Sequence, residues 1–163
     1  MTEQIYVDTV DSFNSYYERF KKTSRVGNIY HIGLDCEFIC EANHKESFDK
    51  SSEWILNNSV NSSAVCKIQI ANSEMVIVID VCKLNKILPD KLVNIIRKPS
   101  WIKTGIGLNN DIKLISENFN LGHCCGVYDM LEILIMYGVK NPNMNDVAES
   151  LGLNISKTNK DSK

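Results

Sequence analysis

The sequence predicts an α/β domain: a mixed sheet of five strands, an antiparallel meander continued by parallel strands, flanked by helices. Three observations carry this. Residues 29–38, Ile-Tyr-His-Ile-Gly-Leu-Asp-Cys-Glu-Phe, have the composition of a central strand yet hold two acids. Residues 64–71 and 75–81 are two β-rich runs separated by Asn72-Ser73-Glu74, a hairpin signal. From residue 84 onward, helical spacing alternates with short strand-like runs.

The 163 residues, 44% hydrophobic and 23% charged, suit one domain that buries its own core. Residues 1–157 are expected to fold as that domain and residues 158–163 to form a charged, frayed tail. With a net charge of −2 and a pI near 5.9, no overall basic field announces nucleic acid, so any polyanion site must be local or metal-mediated. Six cysteines follow a start with neither a basic nor an apolar leader region, and no apolar run reaches membrane-span length. The expectation is a reduced, intracellular protein, nuclear or cytoplasmic, whose cysteines are mostly small core residues.

In chain order, residues 5–7 are strand-like, and Thr9 is placed to cap a helix in which Val10, Phe13, Tyr17 and Phe20 recur at helical spacing. Lys21, Lys22 and Arg25 at its end suit the helix dipole better than a phosphate patch. Gly27-Asn28 turns the chain into the central strand. Residues 40–63 read as a polar loop with one helical turn around Trp54. After the meander, Pro89 fits the first turn of a helix that Pro99 stops. Residues 101–108 begin as strand and end as loop, and Asn109-Asn110-Asp111 opens a helix carrying Ile112, Ile115 and Phe119. Residues 124–128 form a last strand, Asp129 with Glu132 caps the apolar helix 130–137, and Asn143 with Asp146 gives a weaker cap signal.

The chemistry concentrates in the central strand. Alternation places Tyr30, Ile32, Leu34, Cys36 and Phe38 on one face and His31, Gly33, Asp35 and Glu37 on the other, so the two carboxylates share a side. An unpaired ion in low dielectric is costly, and the pair calls for a compensating cation, for which a divalent metal is the obvious candidate.

The ordered series Ile32-Gly-Leu-Asp35-Cys-Glu37-Phe, Cys66-Lys-Ile-Gln69-Ile-Ala, Ile79-Asp80-Val, Lys103-Thr-Gly105-Ile-Gly-Leu-Asn-Asn-Asp111-Ile-Lys-Leu and Val127-Tyr-Asp129-Met-Leu resembles the DEDD 3′-5′ exonucleases. The RNase D, Werner-type and exonuclease-domain-like branches are the nearest in look. The resemblance runs from about residue 5 to residue 157. It implies a ribonuclease-H-like fold, nucleic acid with a DNA or RNA 3′ end as substrate, and a site of two Mg²⁺ or Mn²⁺ ions held by carboxylate oxygens. Carried over by position, Asp35 bridges both ions, Glu37 holds the water-activating one and Asp111 the other. Phe38, Gly105, Asn109 and Asn110 are weaker candidates for touching the nucleotide, with the glycines letting backbone come close.

The family's third motif, a Tyr or His that orients water and a final Asp on a later helix, has no match before Lys163, and Asp161 has no helical pattern around it. The expectation is therefore a weak exonuclease-like domain, or a catalytically dead relative serving as an RNA-binding or scaffold module, with a protein partner or a homodimer left open. Other candidates have plainer readings. Asp80 and Asp129 are left out of the acidic cluster, Asp129 because it caps a helix. His31 suits a satisfied strand residue. His123-Cys124-Cys125 lacks a second cluster for zinc. Gly105-x-Gly107 lacks the third glycine of a dinucleotide fingerprint. Trp101 suits the core, and Trp54 is the better of two weak base-stacking candidates.

Overall fold

The computed structural model describes residues 2–40, 63–85, 87–140 and 142–152. The polar loop with Trp54, and the tail with Asp161, lie outside the described residues.

In chain order the elements are β1 (Glu3–Val7), α1 (Val10–Thr23), β2 (Arg25–Val26), β3 (Ile29–Cys40), β4 (Ser63–Ala71), β5 (Met75–Asp80), α2 (Asp90–Arg97), β6 (Trp101–Gly105), α3 (Leu108–Phe119), β7 (Val127–Asp129), α4 (Met130–Met136) and α5 (Met144–Ser150). The strands form one sheet ordered β1-β5-β4-β3-β6-β7, with β2 paired to β3. The meander β3-β4-β5 is antiparallel, while β6 lies parallel to β3 and β7 parallel to β6. The mixed sheet is as expected but longer than five strands. Ile5 and Val7 are buried, which draws β1 into the sheet parallel to β5. Arg25–Val26 folds back on Tyr30 and Ile29 across the two residues Gly27-Asn28, and Gly27, at φ +62°, takes the left-handed conformation such a short hairpin needs.

Local chemistry sets the element ends. The Thr9 side chain accepts from the Ser12 N–H at 3.1 Å and starts α1. Asn72 forms the β4–β5 turn by accepting from the Glu74 and Met75 N–H groups, and its amide donates to Phe20, Thr23 and Ser24 at the end of α1. Asn143 and Asp146 make a reciprocal capping box on α5. The last strand starts at Val127, not Cys124, because Gly126 at φ +68° breaks the extended run.

One face of the sheet carries the core. Ile32, Leu34 and Cys36 of β3, Ile68 and Ile70 of β4, and Met75, Ile77 and Ile79 of β5 meet Phe13 and Phe20 of α1, Leu92, Ile95 and Ile96 of α2, and Ile112 and Ile115 of α3. Trp101 belongs here, 3% exposed, between Tyr30 and Phe20. Each such side chain contributes about 1.5–3 kcal/mol when fully buried. The opposite face is open among the described residues: His31, Asp35 and Glu37 are exposed, and Gly33, Gln69 and Ala71 are half-buried. Asp35 and Glu37 thus keep their water, which corrects the expectation that burial itself demanded a cation.

A charge sits inside the core instead. Lys103 is fully buried, and its ammonium donates to the carbonyls of Ile95 and Lys98 at the end of α2 and of Cys125 before β7. Burial brings this lysine down from 10.5 to about 8. No helix among the described residues is long and apolar enough to cross a membrane.

Candidate active site

The register of the sheet decides which acids meet. β6 runs beside the first half of β3, pairing Tyr30 with Trp101 through Gly33 with Thr104, and it ends where β3 reaches Leu34 and Asp35. Gly105 allows this. A Cβ on it would lie 2.5 Å from the Leu34 carbonyl oxygen, so the close approach of the two backbones excludes any side chain. Its role is therefore strand packing, rather than the admission of a nucleotide.

α3 follows at once and carries Asp111 in its first turn against β3. Asp111 is 7% exposed, and its acidity is weakened to a pKa of about 6. Desolvation is the largest cause; the Asp35 carboxylate, within hydrogen-bonding reach, pushes the same way, and the thiol and backbone N–H of Cys36 oppose it. The Cys36 thiol is in turn pushed well up by its burial and by Asp111. Two carboxylates 76 positions apart in sequence are thus brought side by side, one buried and one at the surface.

Glu37 stands apart from this pair. Its carboxylate lies 3.3 Å from the Lys67 ammonium and 3.5 Å from the Gln69 amide on β4. Beyond it the β3–β4 ladder slips, with Glu37 opposite Lys67 and Phe38 opposite Val65, so that Cys66 is the extra residue of a bulge. Phe38 is 43% exposed, and alternation sends it to the face of Cys36, away from Asp35. The side chain of Asn109 donates to Glu132 at 2.6 Å and is already engaged, whereas Asn110 is exposed. Among the described residues, no group of three or more His, Cys, Asp and Glu side chains converges as a metal cage.

Asp129 does more than cap its own helix. Its carboxylate accepts from the Leu131 N–H at 3.0 Å, and also from the N–H groups of Gly107 at 3.0 Å and Asn109 at 3.2 Å. It therefore holds the start of α3, where Asp111 resides. A signal for this exists in the sequence: Gly107, at the cap position of α3, has no side chain to cap with, so the helix must borrow one.

On the open face a groove of about 400 Å³ runs past Asp35, lined by Gly33, Gln69, Thr104, Ile106 and Met144. It admits a ligand to Asp35 from solvent.

No protein-family model matches the chain, and no curated protein matches it. Solved structures do. The EXD2 exonuclease domain soaked in Mn and GMP is 19% identical with a TM-score of 0.60, over 88% of this chain and 64% of that one. Escherichia coli RNase D, an exoribonuclease involved in structured RNA processing, is 18% identical with a TM-score of 0.68, over 97% of this chain and 36% of that one. The Aedes aegypti Nibbler EXO domain is 17% identical with a TM-score of 0.64, over 96% of this chain and 72% of that one. The chain spans about two thirds of the length of the first and about a third of the second.

Proposed function

With the ribonuclease-H-like fold of 3′-5′ exonuclease domains as premise, we propose that this chain is an exonuclease-like domain that takes nucleic-acid 3′ ends in the groove beside Asp35. In this reading Asp35 and Asp111 hold a divalent cation, Mg²⁺ or Mn²⁺. The observation that carries it is the meeting of these carboxylates from two separate elements, one of them desolvated and pushed up by the other.

The donor set suits such an ion. Hard cations take carboxylate oxygens, and two like charges this close are relieved by a cation between them. The EXD2 structures soaked in Mg, Mn and nucleotides point the same way for that protein. A bound ion would supply charge neutralisation at the scissile phosphate and a more acidic water. The chain's own residues do the positioning. The Cys36 thiol and N–H fix one carboxylate, Asp129 anchors the helix that bears it, and Asp35 faces the groove. Glu37 joins on leaving Lys67, an exposed pair worth at most about 1 kcal/mol, so recruitment costs little.

Activity is proposed to be weak, because the described residues bring two carboxylates together while Glu37 is engaged elsewhere. That same engagement favours the second reading, a binding or scaffold module without catalysis. The test is a 5′-labelled single strand and a recessed duplex, in DNA and RNA forms, incubated with Mg²⁺ or Mn²⁺. Slow shortening from the 3′ end that Asp35→Ala and Asp111→Ala both abolish is the expected result. Wild-type chain that leaves every substrate intact, or shortening that survives both substitutions, would overturn the reading.

A further inference from the structure

Where α1 ends, three cations gather outside the site just described. Lys21, Lys22 and Arg25 line a groove of about 260 Å³ together with Glu18 and Tyr30. The sequence assigns them to the helix dipole, yet the hydrogen bonds give that work to neutral groups. The Phe20 carbonyl accepts from the Ser24 N–H and hydroxyl, the Thr23 hydroxyl and the Asn72 amide, and the Arg19 carbonyl accepts from the Thr23 hydroxyl. None of the three cations donates to a carbonyl of α1. Arg25 instead donates from Nε to the Gly27 carbonyl at 2.9 Å, which fixes its guanidinium at the groove.

Carboxylates do not neutralise them either. The ion pairs among the described residues are Arg19 with Glu3, Lys67 with Glu37, and Lys91 with Glu18. Glu18, the acid in the groove wall, is thus already taken by Lys91 at 3.4 Å. Aromatic surface shapes the site as well: the Lys21 ammonium lies 6.0 Å from the centre of the Tyr17 ring and 5.9 Å from that of Tyr30. Tyr30 is stacked on Trp101 at 4.4 Å, and Trp101 on Phe20, so the ring in the groove wall is rigid. Three unpaired cations within five residues, on a chain of net charge −2, form a local positive site with a fixed floor.

We propose that this groove binds the phosphate backbone of a single nucleic-acid strand, as an anchoring contact separate from Asp35. The choice of nucleic acid rests on the functional reading above; the positive charge and the aromatic wall stand without it. β3 joins the two places. Tyr30 precedes Asp35 by five residues, roughly 17 Å along the strand, a distance that about five nucleotides cover at a rise of 3.4 Å each. The groove therefore holds a part of the strand that is remote from the reacting end.

The test is fluorescence anisotropy with a labelled single-stranded oligonucleotide in EDTA, over a salt series, so that no metal chemistry enters. Replacing Lys21, Lys22 and Arg25 together by Ser should weaken binding about tenfold or more, and flatten the slope of log affinity against log salt by about 2, since each lost phosphate contact accounts for about 0.7. Lys21→Arg with Lys22→Arg should retain wild-type affinity. These side chains are at the surface, and an unchanged melting temperature will show that the triple variant is folded. Equal affinity and equal slope in a folded triple variant would overturn the proposal, as would displacement of the oligonucleotide by polyglutamate at matched charge. The two readings separate cleanly: shortening without groove-dependent binding removes the groove alone, and groove-dependent binding without shortening removes the exonuclease reading alone.

Discussion

Asp111 shows how a residue's neighbours decide its energetics. Its carboxyl titrates at about 6 in the fold against 3.8 unfolded, so the folded state holds the extra proton between those values. Stability therefore falls as pH rises through that window, and the full penalty is present above pH 6. Asp35→Asn removes the like charge beside it and should raise the melting temperature of the metal-free protein at pH 7.5 by about 2–4 °C, the shift expected of roughly 1 kcal/mol in a chain this size. The gain should shrink by pH 5, where Asp111 is already protonated. Thermal unfolding in EDTA at the two pH values checks this, and a lower melting temperature for the variant would mean that Asp35 is held by internal donors. At this scale the acids were legible in the sequence, since two carboxylates in one strand are conspicuous. The engagement of Glu37 was not, because Lys67 and Gln69 come opposite it only once the β3–β4 register is set. Asn109 was misjudged for the same reason, its partner Glu132 lying 23 residues away.

At the scale of elements, β6 is the piece on which the site leans. Gly105 seats it against β3, and Gly126 flanks it on the other side, where a Cβ would come 2.5 Å from the Trp101 carbonyl oxygen. Lys103 ties it to the end of α2 and to the segment before β7. Lys103→Met leaves three carbonyls without their donor and should cost about 2–4 kcal/mol at pH 7, despite the gain from no longer burying a charge. The pH dependence has a definite sign. The lysine loses its proton near 8 when folded and 10.5 when unfolded, so between these values the unfolded chain binds more protons and the wild type gains stability as pH rises. The gap between wild type and Lys103→Met should widen by about 1–3 kcal/mol from pH 8 to 10, measured by urea unfolding at each pH; a gap that closes would show that the ammonium is not desolvated. Nothing in the sequence marks this lysine as buried. Helix and strand spacing reveal which face is apolar, but a lysine on a core-facing position gives no hint of three carbonyls converging on it from other elements.

For the molecule as a whole, the sheet's order and directions followed from the sequence because turn chemistry and hydrophobic period agree: Asn72 for the hairpin, strand and helix alternation for the parallel half. β1 and β2 joined the sheet for reasons the pattern does not carry, since an edge pairing of two to five residues is fixed by what lies beside it. The candidate site was legible as a set of acids and illegible as a geometry. Asp129 ties these scales together, because one carboxylate serves the first turns of both α3 and α4. Two helix starts that share an acceptor cannot fray independently. In native-state hydrogen exchange, the amides of Gly107, Asn109 and Leu131 should open with a common free energy, as one cooperative unit. Asp129→Ala should release all three together, whereas three unrelated exchange rates in the wild type would show that the shared acceptor does not couple them. The helix bearing Asp111 would then keep its place only while α4 stays docked, and any ligand that orders α4 would slow exchange at the start of α3 without touching it.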